Sequence, residues 1–150
     1  MVLRIALVAA VMFLCLAVQA LVLAVSLRCV VRVMRTEGPP ARVLAEVGTI
    51  YLIMMVMLTG HVVQIGLWAV LYVLEGAFVD FQTALYFSGA TFTTIGYGDV
   101  ALQPGWYMLG PLEGITGLLM FGVSTAGMAA VIMRMLKVRL AHMFAGRDTQ

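Results

Sequence analysis

The stretch TFTTIGYGDV occupies residues 91–100. Around it the chain is strongly apolar: 63% of its 150 residues are hydrophobic, 11% are charged, and the mean hydropathy is +1.07. Packing gives no reason to gather Gly96, Tyr97, Gly98 and Asp99 in such surroundings. Glycine inside a regular element lowers stability, and an ionisable group at membrane depth is more costly still. The stretch is therefore a functional candidate.

The composition excludes an ordinary soluble domain, which carries about 25% charged residues. Three uncharged runs, Ile5–Leu27, Val47–Leu74 and Gly114–Met133, each reach the ~20 residues that cross a bilayer core. A fourth apolar stretch, Phe81–Ile95, is too short to cross and contains Gln82, Thr83, Ser88 and several threonines. It reads as a re-entrant segment, and the irregular backbone after it must line a cavity or be walled in by protein.

Basic residues set the orientation. Arg28, Arg32, Arg35 and Arg42 separate the first two runs, Arg134, Lys137, Arg139 and Arg147 follow the third, and Val43–Met133 contains neither Lys nor Arg. The positive-inside rule puts both clusters in the cytoplasm, with the N-terminus and the Glu75–Glu113 loop outside. Arg4 alone is on the unexpected side. A cleaved signal peptide ending at "VQA" (18–20) would leave the first basic cluster outside, so the first run is read as a span. Cys15 and Cys29 lie roughly 21 Å apart along one helix and cannot pair. They read as packing residues.

A cation crossing a membrane sheds water, and rings of carbonyl oxygens can replace it without a trapping charge. Carbonyls point one way along a strand when its backbone alternates in handedness. Glycine takes the left-handed conformation at little steric cost. Gly96 and Gly98 suit that alternation, with Ile95 and Tyr97 pointing off the axis and Thr94 adding its hydroxyl. One loop per chain means that a closed ring needs several chains.

These residues resemble the filter of the potassium-channel pore family. TTIGYGD (93–99) matches its signature with isoleucine in place of valine. ALYFSGATFTTIGYGD (84–99) resembles its pore helix and filter, and GLLMFGVSTAGMAAV (117–131) its inner helix. WAVLYVLEGAF (68–78) is similar to the segment before the pore helix in small three-span bacterial channels. The resemblance covers residues 46–137.

It implies potassium sites made by the carbonyls of Thr94, Ile95, Gly96 and Tyr97 with the Thr94 hydroxyl, and Gly98 turning the chain out at the mouth. Asp99 supports the filter from behind. Leu118, Phe121, Thr125, Ala129 and Met133 line the pore, and Gly117 or Gly122 serves as a hinge. The family often pairs the aspartate with a pore-helix glutamate. Ala90 stands there in this chain, so Asp99 must be held by another group.

The remaining polar residues have competing readings. Asp80 and Glu113 read as carboxylates at helix starts, where the dipole favours them; with Glu75 and Asp99 they also read as an acidic outer mouth. His61, Gln64 and Trp68 share one helix face and read as a buried seam against the pore helix, or as a proton-sensing site. Arg28, Arg32 and Arg35 read as a membrane-flanking anchor better than as a voltage sensor.

The expected architecture is all-α and integral to the membrane, with three transmembrane helices, a re-entrant pore helix and a filter loop, assembled as a homotetramer. Residues 1–45 form an extra helix and basic linker, 46–137 the pore domain, and 138–150 a short cytoplasmic tail. The expected function is passive potassium transport across the plasma membrane, the bacterial inner membrane. Potassium ions and the lipid bilayer are the expected partners, with no cofactor, nucleic acid or enzymatic activity. A non-conducting membrane subunit of the same fold and a weakly selective cation channel are the alternatives.

Overall fold

A computed structural model describes residues 2–36 and 42–145. Arg147 lies outside them, and of Arg35, Arg42 and Arg139 the backbone alone is described. The described chain forms four helices: α1 (Val2–Thr36), α2 (Arg42–Leu74), α3 (Phe81–Phe92) and α4 (Leu109–Ala145). Three of them are long and apolar enough to span a membrane, over Leu3–Arg32, Glu46–Leu74 and Leu109–Lys137. The short α3, with 12 residues, is not.

Local signals place the ends. In the sequence Thr36 is followed within four residues by Gly38, Pro39 and Pro40, residue types that disfavour a helix interior. α2 stops in a Schellman turn. Gly76 takes φ +73°, the Ala77 N–H donates to the Tyr72 carbonyl at 2.9 Å, and the Gly76 N–H donates to that of Val73 at 3.0 Å. Asp80 caps α3, its carboxylate accepting the Thr83 N–H at 2.8 Å. That N–H bond holds the Asp80 carboxyl below the usual carboxylate range.

α1 lies against α2 and α4 of its own chain, and α3 is held between α2 and α4. Glycines let α1 approach closely: a Cβ on Gly60 of α2 would meet Val22 Cγ2 at 2.6 Å, and one on Gly127 of α4 would meet Leu23 Cδ2 at 2.6 Å. One apolar cluster, with Trp68, Tyr72, Phe92 and Met120, packs around α3; a second, with Val22, Ile53, Met57 and Val131, joins the other half of the bundle.

A buried polar network runs through the bundle. Gln19 Nε2 on α1 donates to Ser124 Oγ on α4 at 2.8 Å, and Ser124 Oγ lies 3.1 Å from His61 Nε2 on α2. Gln64 Nε2 donates to Gln19 Oε1 at 3.2 Å and to the Cys15 carbonyl at 3.3 Å. The seam of His61, Gln64 and Trp68 is thus buried as expected, but the expectation that it faces the short helix is corrected. The bonded atoms of His61 and Gln64 turn to α4 and α1, because their hydrogen-bonding partners reside there. The seam's apolar parts do reach α3: the His61 ring lies 6.2 Å from that of Phe92, and Trp68 belongs to the cluster that contains Ala84 and Phe92.

Arg4 also finds its explanation. Its Nε lies 2.6 Å from Glu75 Oε2, and its guanidinium sits 5.3 Å from the centre of the Trp106 ring. Trp106 Nε1 in turn donates to the Glu75 carbonyl at 3.2 Å. The start of α1, the end of α2 and the approach to α4 therefore meet at one end of the bundle.

Candidate functional site

The backbone between α3 and α4 carries the candidate site. α3 ends at Thr93, whose N–H and Oγ1 both donate to the Gly89 carbonyl, at 3.2 and 2.6 Å. The Gly96 N–H then returns to the Ala90 carbonyl at 3.1 Å. Beyond Thr93 the backbone alternates: φ is +62° at Thr94, +55° at Gly96 and +78° at Gly98, with no other positive φ between them.

The two glycines adopt this conformation freely. Thr94 does not, since a β-branched residue in the left-handed region is strained by about 1–2 kcal/mol. Strain of this kind persists where surrounding structure imposes it, and it clusters at functional sites. The negative end of the α3 dipole leads directly into Thr94, which favours a cation there.

Ile95 and Tyr97 are 57% and 68% exposed in the single chain, so their own subunit leaves more than half of each uncovered. Around Gly96 and Gly98 a Cβ would meet nothing within 4 Å. Glycine is needed at these positions for its φ, not for space.

Asp99 is held by a residue that sequence reasoning missed. Tyr86, on α3, donates its hydroxyl to Asp99 Oδ2 at 2.7 Å, and the Val100 N–H donates to Oδ1 at 3.1 Å. The Tyr86 and Tyr97 rings stack, with centroids 6.5 Å apart and planes 11° from parallel. One phenol thus braces both the aspartate and the tyrosine of the loop. The signal was present as the lack of a carboxylate at Ala90, but not the identity of the substitute.

Gly117 of α4 supports the loop from below. A Cβ there would sit 2.0 Å from the Phe92 carbonyl oxygen, so the end of α3 rests directly on the α4 backbone. Gly122 has open space around it.

The reading of Glu113 as a helix-start carboxylate and part of an acidic mouth is corrected. α4 begins at Leu109, a full turn earlier, and the Glu113 side chain is completely buried. Tyr72 of α2 donates to its Oε2 at 2.7 Å, and Ser88 Oγ of α3 is hydrogen-bonded to its Oε1. Glu75 is also withdrawn, paired with Arg4 and with its side chain 8% exposed. Of the four carboxylates expected at the mouth, Asp80 and Asp99 are exposed.

A family model described as an ion channel matches residues 47–134. The chain belongs to this ion-channel family. No curated protein and no solved structure matches it. Within the channel chain the match takes in α2 from Val47, all of α3 with its following loop, and α4 as far as Arg134. α1 precedes it.

The channel's α4 has two distinct sides. Met120, Ser124 and Val131 are buried against the rest of the chain, whereas Leu118, Thr125, Ala129 and Met133 are exposed. Phe121 departs from that exposed stripe. Its ring is 4.6 Å from that of His61 and 5.8 Å from that of Phe92, so it is half-buried in the bundle.

Proposed function

We propose that four copies of this chain surround a central pathway and pass dehydrated potassium ions passively through it. α3 is the pore helix, the 93–99 loop the selectivity filter, α2 the outer helix and α4 the inner helix. The observation that carries this reading is the alternation of φ at Thr94, Gly96 and Gly98. Such a strand turns successive carbonyls to one side. Four strands about an axis form stacked oxygen rings that substitute for a hydration shell. Thr94, Ile95, Gly96 and Tyr97 supply the carbonyls, Thr94 adds its hydroxyl, and Gly98 releases the chain to the mouth.

The stacking of Tyr86 on Tyr97 and its bond to Asp99 support potassium selectivity over weak selectivity, because a braced ring of fixed radius resists closing on a smaller ion. The exposed face of Leu118, Thr125, Ala129 and Met133 lines the inner pathway. Gly122, with open space around it, serves as the pivot better than Gly117, which is wedged against Phe92. The basic residues put the C-terminus in the cytoplasm, and the filter mouth and N-terminus outside, in the bacterial plasma membrane. Arg28 and Arg32, exposed at the inner end of α1, anchor it at the cytoplasmic membrane surface.

The test is potassium flux through purified protein in liposomes, with sodium as competitor. Potassium uptake that sodium does not replace is the expected result. Equal passage of both ions would leave a channel without this selectivity, and no passage of either would leave a non-conducting subunit.

A further inference from the structure

Glu113 of α4, Tyr72 of α2 and Ser88 of α3 meet at the junction of three helices, and all three are fully buried. Three oxygen–oxygen contacts define the cluster. Tyr72 Oη lies 2.7 Å from Glu113 Oε2, Ser88 Oγ lies 2.8 Å from the Ile65 carbonyl of α2, and Ser88 Oγ meets Glu113 Oε1.

Each contact needs one hydrogen, since two oxygens at this separation with none between them repel. Tyr72 supplies the first. The Ile65 carbonyl can only accept, so the single hydroxyl hydrogen of Ser88 goes to it. The third contact then lacks a hydrogen unless the carboxyl group carries one. We propose that Glu113 is a carboxylic acid, not a carboxylate, and that by donating to Ser88 it acts as a positioning residue for the pore helix and its filter.

The surroundings agree. Among the described residues, the polar partners of Glu113 are Tyr72 and Ser88, and no basic side chain contacts it. α1 brings the buried Cys15 thiol within electrostatic reach of it, and a thiol offers no positive charge. α3 brings only the Ser88 hydroxyl. A buried carboxylate without a counter-charge is strongly disfavoured, whereas the acid satisfies every oxygen in the cluster. Ser88 lies six residues before Thr94, so the acid ties α4 and α2 to the helix that carries the filter.

The proposal's effect on flux rests on the channel reading, so two readouts are used. Infrared spectra of the purified tetramer in liposomes at neutral pH should contain the carbonyl stretch of a protonated carboxylic acid, absent in Glu113→Gln. Glutamine can donate to Ser88 and accept from Tyr72, so potassium flux in Glu113→Gln should stay within about twofold of wild type. Glu113→Ala leaves the buried Tyr72 hydroxyl without an acceptor and cuts the link from α4 to Ser88, and its flux should fall by about tenfold or more.

No protonated-acid band in the wild type would overturn the proposal. So would a glutamine variant that fails to assemble or loses as much flux as alanine. If wild-type protein passes no potassium, the channel reading fails, while the infrared band still decides the state of Glu113.

Discussion

At Gly96 a single dihedral decides whether the loop can work. Its φ of +55° lies in the left-handed region, and a Cβ there would touch nothing. Alanine would therefore be penalised by conformation, about 1–2 kcal/mol per chain, and in the proposed tetramer four chains would bear it around one ring. Gly96→Ala should abolish potassium flux while the tetramer still assembles, because the helices that hold the chain together are untouched. Flux assays paired with native mass measurement check this; a selective, assembled Gly96→Ala channel would show that these carbonyls are not the ion sites. Asp80 gives a second residue-scale expectation. Accepting the Thr83 N–H holds its carboxyl below the ordinary range. The cap's stabilisation is then full above the ordinary carboxylate pKa and lost as pH falls through the lowered one. Asp80→Ala should lower thermal stability at neutral pH, and the difference from wild type should vanish in strong acid. A constant difference across pH would show that the charge on Asp80 plays no part.

Among the elements, α4 bears the closest contact. The end of α3 sits on Gly117 with no room for a methyl group, while Gly122 faces open space. Gly117→Ala should push the two helices apart and lower stability by roughly 1–3 kcal/mol, the usual penalty of overpacking. Gly122→Ala should be tolerated in stability and tell on opening alone. Thermal unfolding of both variants beside flux separates these effects, and equal stability of the two would refute the wedge. This contrast was not legible in the sequence, which offers both glycines equally as pivots. What could be read was whatever depends on neighbours in the chain. The three apolar runs announced α1, α2 and α4; the threonine-rich stretch announced a short helix; and the spacing of His61, Gln64 and Trp68 announced a shared face. Which helix that face meets depends on packing between distant segments. For the same reason Glu113 was misread: four residues after Leu109, its direction depends on the rotation of α4, and that is set by Tyr72 and Ser88 far away in the chain. Tyr86 went unread likewise, since its bond to Asp99 spans a helix end whose geometry the residues themselves do not spell out.

For the whole molecule, the exposed state of the loop in one chain is the central fact. Ile95 and Tyr97 leave more than half of their surface uncovered, beside a strained Thr94. Within one subunit the Gly96 N–H bond to Ala90 and the Tyr86 brace hold the loop but leave these side chains open; in the proposed tetramer a ring of neighbours would cover them and further fix the φ angles. The proposed homotetramer would therefore account for the exposed side chains as well as for the pathway. That proposal also makes a quantitative demand, because in it every oxygen ring takes one carbonyl from each chain. With wild-type and Gly96→Ala chains co-expressed in equal amounts and mixing at random, about one tetramer in sixteen contains no altered chain. Potassium flux per assembled tetramer should then fall to roughly that fraction. If each chain instead formed its own pathway, flux would fall only to about one half. Flux measured against the ratio of the two chains separates a fourth-power dependence from a linear one. A linear dependence would refute the shared ring even if each variant alone behaved as expected.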